Sequence, residues 1–107
     1  MNKDLKFIAD HFGHFRQLAK ASEEHDEAKV AIENYRRALK IENDPIELAY
    51  YRECVIEELA DAYITGMQVI YHEMAEDEFA EMVQKKINRT IQRIKDGYYD
   101  AASIQNS

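Results

Sequence analysis

Two pairs of carboxylates stand at helical spacing in this chain. Glu24 and Glu27 are three residues apart, and so are Glu58 and Asp61. That step places both side chains of a pair on one side of a helix, one turn apart. Glu58 and Asp61 flank an apolar line of Leu48, Tyr51, Val55, Leu59, Ala62, Gly66 and Val69, which advances in steps of three and four. Carboxylates at the edge of a buried seam need a proton, a cation or a metal, because an unpaired buried charge is costly. If the two helices pack face to face, four oxygen donors converge. An oxygen-only set suits Mg2+ or Mn2+, hard cations that take carboxylates, substrate oxygens and water. Zinc is disfavoured, since Cys54 is alone and no Cys–His spacing occurs. A di-iron site in a helical bundle would want a Glu three residues before a His. The residues three before His11, His14, His25 and His72 are Ile8, His11, Ser22 and Val69.

Opposite charge gathers near the end of the chain, at Lys85, Lys86, Arg89 and Arg93. Lys86, Arg89 and Arg93 share one helix face through steps of three and four. Lys20 stands one turn before Glu24, and Gln17 one turn before Lys20. A divalent metal beside Lys and Arg is what phosphoryl chemistry requires: the metal neutralises phosphate oxygens and the cations hold the leaving phosphates. Spacing alone also fits a blander picture. Glu-x-x-Glu is common on solvated helix faces, and Lys20 with Glu24 reads equally as a surface ion pair. Tyr35, Tyr50, Tyr51 and Tyr63 could stack on a base, although aromatic residues at helical spacing more often fill a core or an interface.

Four helices must position these groups. The first is expected over 3–12, with Leu5, Ile8, Ala9 and Phe12 as its apolar side, ended by Gly13. A long second helix follows over roughly 14–40. Asp44 is a good N-cap and Pro45 suits a first helical position, so the third helix runs over roughly 46–72. The fourth covers roughly 75–95 with Phe79, Met82, Val83, Ile87, Ile91 and Ile94, and Gly97 stops it. Residues 1–97 therefore read as one helical domain and 98–107 as a C-terminal tail. A helix of about 27 residues is about 40 Å long, somewhat more than the roughly 33 Å width of a globule of this size. The third helix also carries a second apolar face, with Tyr50, Ile56, Tyr63, Ile64, Met67 and Ile70. The expected fold is all-α: a four-helix bundle-like chain with two long antiparallel helices, assembling as a dimer or tetramer.

Composition narrows the function classes. The chain has 107 residues, three Gly, one Pro and a net charge of −7. That charge argues against a nucleic-acid backbone binder, which needs a basic face. No apolar run reaches the ~18 residues that a membrane helix needs. Met1-Asn2-Lys3-Asp4 leads straight into an amphipathic pattern, so neither membrane nor leader is expected. A single Cys54 has no disulfide partner and fits a reducing cytoplasm.

The same residues carry a family likeness. The pairs read Glu24-His25-Asp26-Glu27 and Glu58-Leu59-Ala60-Asp61. Before the first pair stand His11-Phe12-Gly13 and then Gln17, Lys20 and Glu23; the last helix carries Lys86-Ile87-Asn88-Arg89 and Arg93. In this the chain resembles the all-α MazG-like nucleotide pyrophosphohydrolases, a superfamily that includes phosphoribosyl-ATP pyrophosphohydrolases and dimeric dUTPases. The likeness is nearest to small, often phage-borne members and covers about residues 5–95. Three features depart from the family pattern: 30 residues separate the pairs (28–57), Ala62 follows Asp61, and His25 follows Glu24.

The resemblance implies a Mg2+-dependent enzyme, with Mn2+ as the alternative ion. It would hydrolyse a nucleoside triphosphate to the monophosphate and pyrophosphate by water attack at the α-phosphorus. It implies Glu24, Glu27, Glu58 and Asp61 as metal ligands and catalytic carboxylates. Gln17, Lys20, Lys86, Asn88, Arg89 and Arg93 would bind substrate, with Lys86, Arg89 and Arg93 acting in cis or from a partner chain. The competing expectation is a non-catalytic helical protein, either a dimerisation or partner-binding module or an inactive MazG relative.

Overall fold

The computed structural model describes residues 2–41 and 44–100. These residues are all-α and contain four helices: α1 (Lys3–Phe12), α2 (His14–Ile41), α3 (Pro45–His72) and α4 (Glu76–Lys95). Their ends fall within one residue of the expected ones. Among the described residues no helix is long and apolar enough to cross a membrane. The expected tail falls largely on residues 101–107, which lie outside the described residues, as does Asn43 before the third helix.

Local chemistry explains the boundaries. The Asn2 side chain accepts from the backbone N–H of Asp4 at 2.7 Å, capping α1. Gly13, at φ 79°, ends α1 in a conformation that a side chain would strain, and its N–H donates to the Ala9 carbonyl at 2.9 Å. Asp44 accepts from the Ile46 N–H at 2.9 Å, and Pro45 opens α3 where its missing N–H costs nothing.

The chain divides into two compact units at Met74/Ala75. In the first, α2 packs along α3 and α1 packs on both. The buried residues of α2 are Gln17, Ala21, Glu24, Ala28, Ala31 and Ala38, a stripe advancing by four and three. Ala62, Thr65 and Gln68 are the buried residues of α3. Small side chains let the two backbones approach closely. They contribute only about 0.8 kcal/mol per buried methyl-sized group, against about 1.5–3 for a buried Leu or Ile. The two largest fully buried side chains are both polar, Gln17 and Gln68.

Many large apolar residues lie outside this seam. Leu59, expected on the buried line of α3, is 47% exposed, and Tyr50, Ile56 and Tyr63 of the second apolar face are also exposed. α1 is tied to the end of α3 by polar contacts. Gln68 Nε2 donates to the Leu5 carbonyl at 3.4 Å, and the Tyr71 hydroxyl donates to Asp10 at 3.0 Å. His72 Nε2 lies 3.0 Å from the Ala9 carbonyl oxygen.

The second unit is α4 with the turn that follows it. Glu76, Asp77 and Glu78 occupy the first turn of α4, where the helix dipole favours negative charge. The end is a Schellman cap. Gly97, at φ 75°, donates to the Ile94 carbonyl at 3.2 Å, and the Tyr98 N–H donates to the Arg93 carbonyl at 2.9 Å. No residue of α4 is buried.

Candidate functional site

Glu24 and Glu27 project from the middle of α2, and Glu58 from the middle of α3. One carboxylate oxygen from each lies within 4.8 Å of the other two. Glu24 is buried, Glu58 is half-buried and Glu27 is exposed, so the group runs from the seam out to solvent. Asp61 is not in this group. It lies half-buried one turn further along α3, where its backbone carbonyl accepts from the Thr65 hydroxyl at 3.0 Å.

The charge balance of the group is uneven. Lys20 Nζ stands 3.0 Å from Glu24 Oε1 and neutralises that side. Glu24 Oε2 and Glu58 Oε2 are buried without a hydrogen-bond partner. Buried polar atoms rarely stay unsatisfied, and two anionic ones on facing helices call for a cation. The Glu27 carboxyl is held above the usual carboxylate range. The charge of Glu24 is the main cause, followed by loss of water, the charge of Glu58, a hydrogen bond with Glu58 and the charge of Glu23. The Lys20 ammonium is pushed up by its hydrogen bond and charge interaction with Glu24 and by the charges of Glu23 and Glu27, against loss of water.

These carboxylates fit a small divalent cation. Oxygens on opposite sides of Mg2+ are about 4.2 Å apart at its ~2.1 Å bond length, so oxygens spread over up to 4.8 Å would draw slightly closer to share one ion. The donors are all hard oxygens, and the two unpartnered atoms supply the lone pairs. Glu24, Glu27 and Glu58 are the residues that would hold it.

A cavity opens along the helices on each side of the carboxylates. One, of about 340 Å³, is lined by Arg16, Gln17 and Lys20 of α2 and by Thr65 and Gln68 of α3. Gln17 is 2% exposed and its Oε1 has no hydrogen-bond partner. The other, of about 580 Å³, reaches from Glu27 and Glu58 to Asn34, Tyr50, Tyr51 and Cys54. There the Tyr50 and Tyr51 rings meet edge to face at 5.5 Å. The Tyr50 hydroxyl is pushed up by its hydrogen bond with Cys54 and by the charge of that thiol.

Gln17 and Lys20, selected from sequence as substrate-binding, thus share a cavity that adjoins Glu24. Lys86, Asn88, Arg89 and Arg93 all lie on α4, in the second unit. Asn88 Oδ1 accepts from Gln84 Nε2 at 3.0 Å, and the Arg93 guanidinium stacks over the Tyr98 ring at 4.7 Å. Arg16, Asn34, Thr65 and Gln68 were not selected. The signal for Gln17 with Gln68 was there: each is an amide on a line that steps like a core. His25, which departs from the family pattern, lies against Gly66, where an added Cβ would be 3.6 Å from Cε1, and its Nδ1 lies 2.7 Å from the Ala21 carbonyl oxygen. Comparison with protein-family models, with curated proteins and with solved structures found no match to this chain.

Proposed function

We propose that this protein is a Mg2+- or Mn2+-dependent nucleoside triphosphate pyrophosphohydrolase of the MazG-like kind. The observation that carries the reading is the convergence of Glu24, Glu27 and Glu58 from two helices, with two buried carboxylate oxygens unpartnered and Lys20 at the edge. A bound divalent cation would supply charge neutralisation of phosphate oxygens and acidification of water. The chain's own groups divide the remaining work. Glu27 faces solvent at the outer edge of the group, which suits it to take the proton of the attacking water. Water oxygen bonds to the α-phosphorus as the bridging bond to the β-phosphate breaks, and pyrophosphate leaves. Lys20 and Gln17 hold phosphate oxygens from the cavity beside Glu24. The family likeness adds Asp61 as a fourth carboxylate, and Lys86, Asn88, Arg89 and Arg93 as further substrate contacts.

The assembly reading belongs with this. Residues early in α2 share a cavity with residues late in α3, and residues late in α2 share one with residues early in α3, as an antiparallel pair requires. Exposed Phe15, Ile56, Leu59 and Tyr63 then form the surface through which a dimer or tetramer completes a larger bundle. The test is pyrophosphate release from a panel of canonical and modified nucleoside triphosphates with Mg2+, with Mn2+ and with EDTA. Metal-dependent release that Glu58→Gln abolishes supports the enzyme. A second reading, a non-catalytic module that binds a partner helix, draws on the same exposed apolar residues. It prevails if no compound is hydrolysed and Mg2+ leaves the melting temperature unchanged.

A further inference from the structure

The two cavities differ in charge. The charged residues lining the smaller one are Arg16 and Lys20; those lining the larger one are Asp26, Glu27 and Glu58. Beyond its acidic edge the larger cleft is neutral, with Asn34, Tyr50, Tyr51 and Cys54. Along α2 the order is Arg16 and Lys20, then Glu24 and Glu27, then Asn34. Along α3 it is Gln68 and Thr65, then Glu58, then Cys54, Tyr51 and Tyr50. The carboxylates therefore lie between a largely apolar pocket, walled by Ile8, Phe12 and Ile64, whose charged residues are Arg16 and Lys20, and a cleft that is acidic at one end and neutral and aromatic at the other.

We propose that the substrate lies lengthwise along this axis, its phosphate tail in the Arg16–Lys20 cavity and its nucleoside in the Asn34–Tyr50–Tyr51 cleft. The assignment rests on the carboxylate group being the site of phosphate cleavage. A polyphosphate is repelled by the acidic edge of the larger cleft and attracted by Arg16 and Lys20. Gln17 Oε1, buried and unpartnered at the wall of the smaller cavity, accepts from a water or from the protonated edge of a phosphate. A neutral base has no such conflict in the larger cleft. Tyr50 and Tyr51 offer ring faces and edges, and base–aromatic stacking tolerates any base. Asn34 supplies a readout. Its Oδ1 takes a long hydrogen bond from Arg37 at 3.5 Å, which leaves the amide NH2 to donate to a carbonyl or ring nitrogen of the base. The dimensions agree. From Glu27 to Asn34 is about 10 Å along the helix at 1.5 Å per residue, the reach of a nucleoside from its 5′ oxygen to the far edge of its base. A volume of about 580 Å³ admits a purine or a pyrimidine nucleoside.

The test separates this geometry from the reaction. NMR titrations of the metal-free protein use the neutral canonical nucleosides as one probe and tripolyphosphate as the other. At least one nucleoside should shift the Asn34 amide and the Tyr50 and Tyr51 signals, and tripolyphosphate those of Arg16, Gln17 and Gln68. Tyr50→Ala and Asn34→Leu, at positions outside the buried seam, should each weaken nucleoside binding about tenfold. Neither should alter the tripolyphosphate shifts, which also reports that the variants are folded. Nucleosides that shift only the Arg16 end, or nothing, overturn the assignment, even if triphosphates are hydrolysed with Mg2+. Nucleosides that map to the cleft while no triphosphate is hydrolysed uphold the cleft and remove the reaction.

Discussion

Glu58→Gln should stabilise the metal-free protein and weaken its response to Mg2+. Glu58 and Glu24 present carboxylate oxygens within 4.8 Å of each other, and each has an oxygen that is buried and unpartnered. At that separation two unit charges repel by about 0.9 kcal/mol in water and about 3.5 kcal/mol at an effective dielectric of 20. The half-buried position of Glu58 lies between those limits. Replacing its charge with an amide of the same shape should raise the unfolding free energy by about 1–3 kcal/mol in EDTA. For a domain of this size each kcal/mol moves the melting temperature by about 4–8 °C. With Mg2+ the gap narrows. The parent protein gains about 2.7 kcal/mol at a hundredfold excess over its dissociation constant, and the variant, short of one anionic donor, under about 1 kcal/mol. Thermal melts followed by circular dichroism, in EDTA and then across a Mg2+ series, read both effects. A variant that melts at or below the parent in EDTA refutes the crowding of charge between α2 and α3. A variant that responds to Mg2+ as the parent does shows that the cation binds elsewhere.

Three further outcomes follow from separate parts of the molecule. The raised Glu27 carboxyl binds its proton more tightly when folded, so its contribution to metal-free stability is fully present below the ordinary 4.5 and is lost as pH rises through its raised value. Urea melts between those limits should show that slope in the parent and a flatter one in Glu27→Gln; equal slopes would remove the repulsion from Glu24 as its cause. Met74, 91% exposed at φ 52°, follows the end of α3 in a left-handed conformation that side chains disfavour. Met74→Gly should stabilise by about 0.5–1 kcal/mol in chemical denaturation, the relieved strain exceeding the added chain entropy. Tyr63, 65% exposed on α3, lies on the face assigned to self-association. Sedimentation should give a dimer or larger for the parent and at least tenfold weaker association for Tyr63→Glu, and a monomeric parent would end that assignment.

What could be read from sequence follows the range of each physical signal. Helix ends are local. Asn2, Asp44 with Pro45, and Gly97 each cap or stop a helix through bonds spanning a few residues, so their types alone were sufficient. The pairing of Glu24 with Glu27 is equally local. That Glu58 joins them while Asp61 does not depends on the rotation of α3 against α2, which no spacing within one helix encodes. The same limit governs the two cavities. Asn34 and Tyr50 are 16 positions apart and meet only because α2 and α3 pack side by side.

Hydrophobic periodicity misled in a related way. Leu59 and Tyr63 sit at core-like spacing, yet the seam between α2 and α3 is filled by Ala28, Ala31 and Ala62. A period of three and four marks a face that avoids water without saying which surface covers it. Alanines admit the close approach that brings carboxylate oxygens on α2 and α3 within 4.8 Å of one another. Leucines and tyrosines in that seam would hold the two backbones further apart. A site built from short contacts across a helix pair thus requires small residues inside. The larger apolar residues, Leu59 and Tyr63 among them, are displaced to the outer face of the pair.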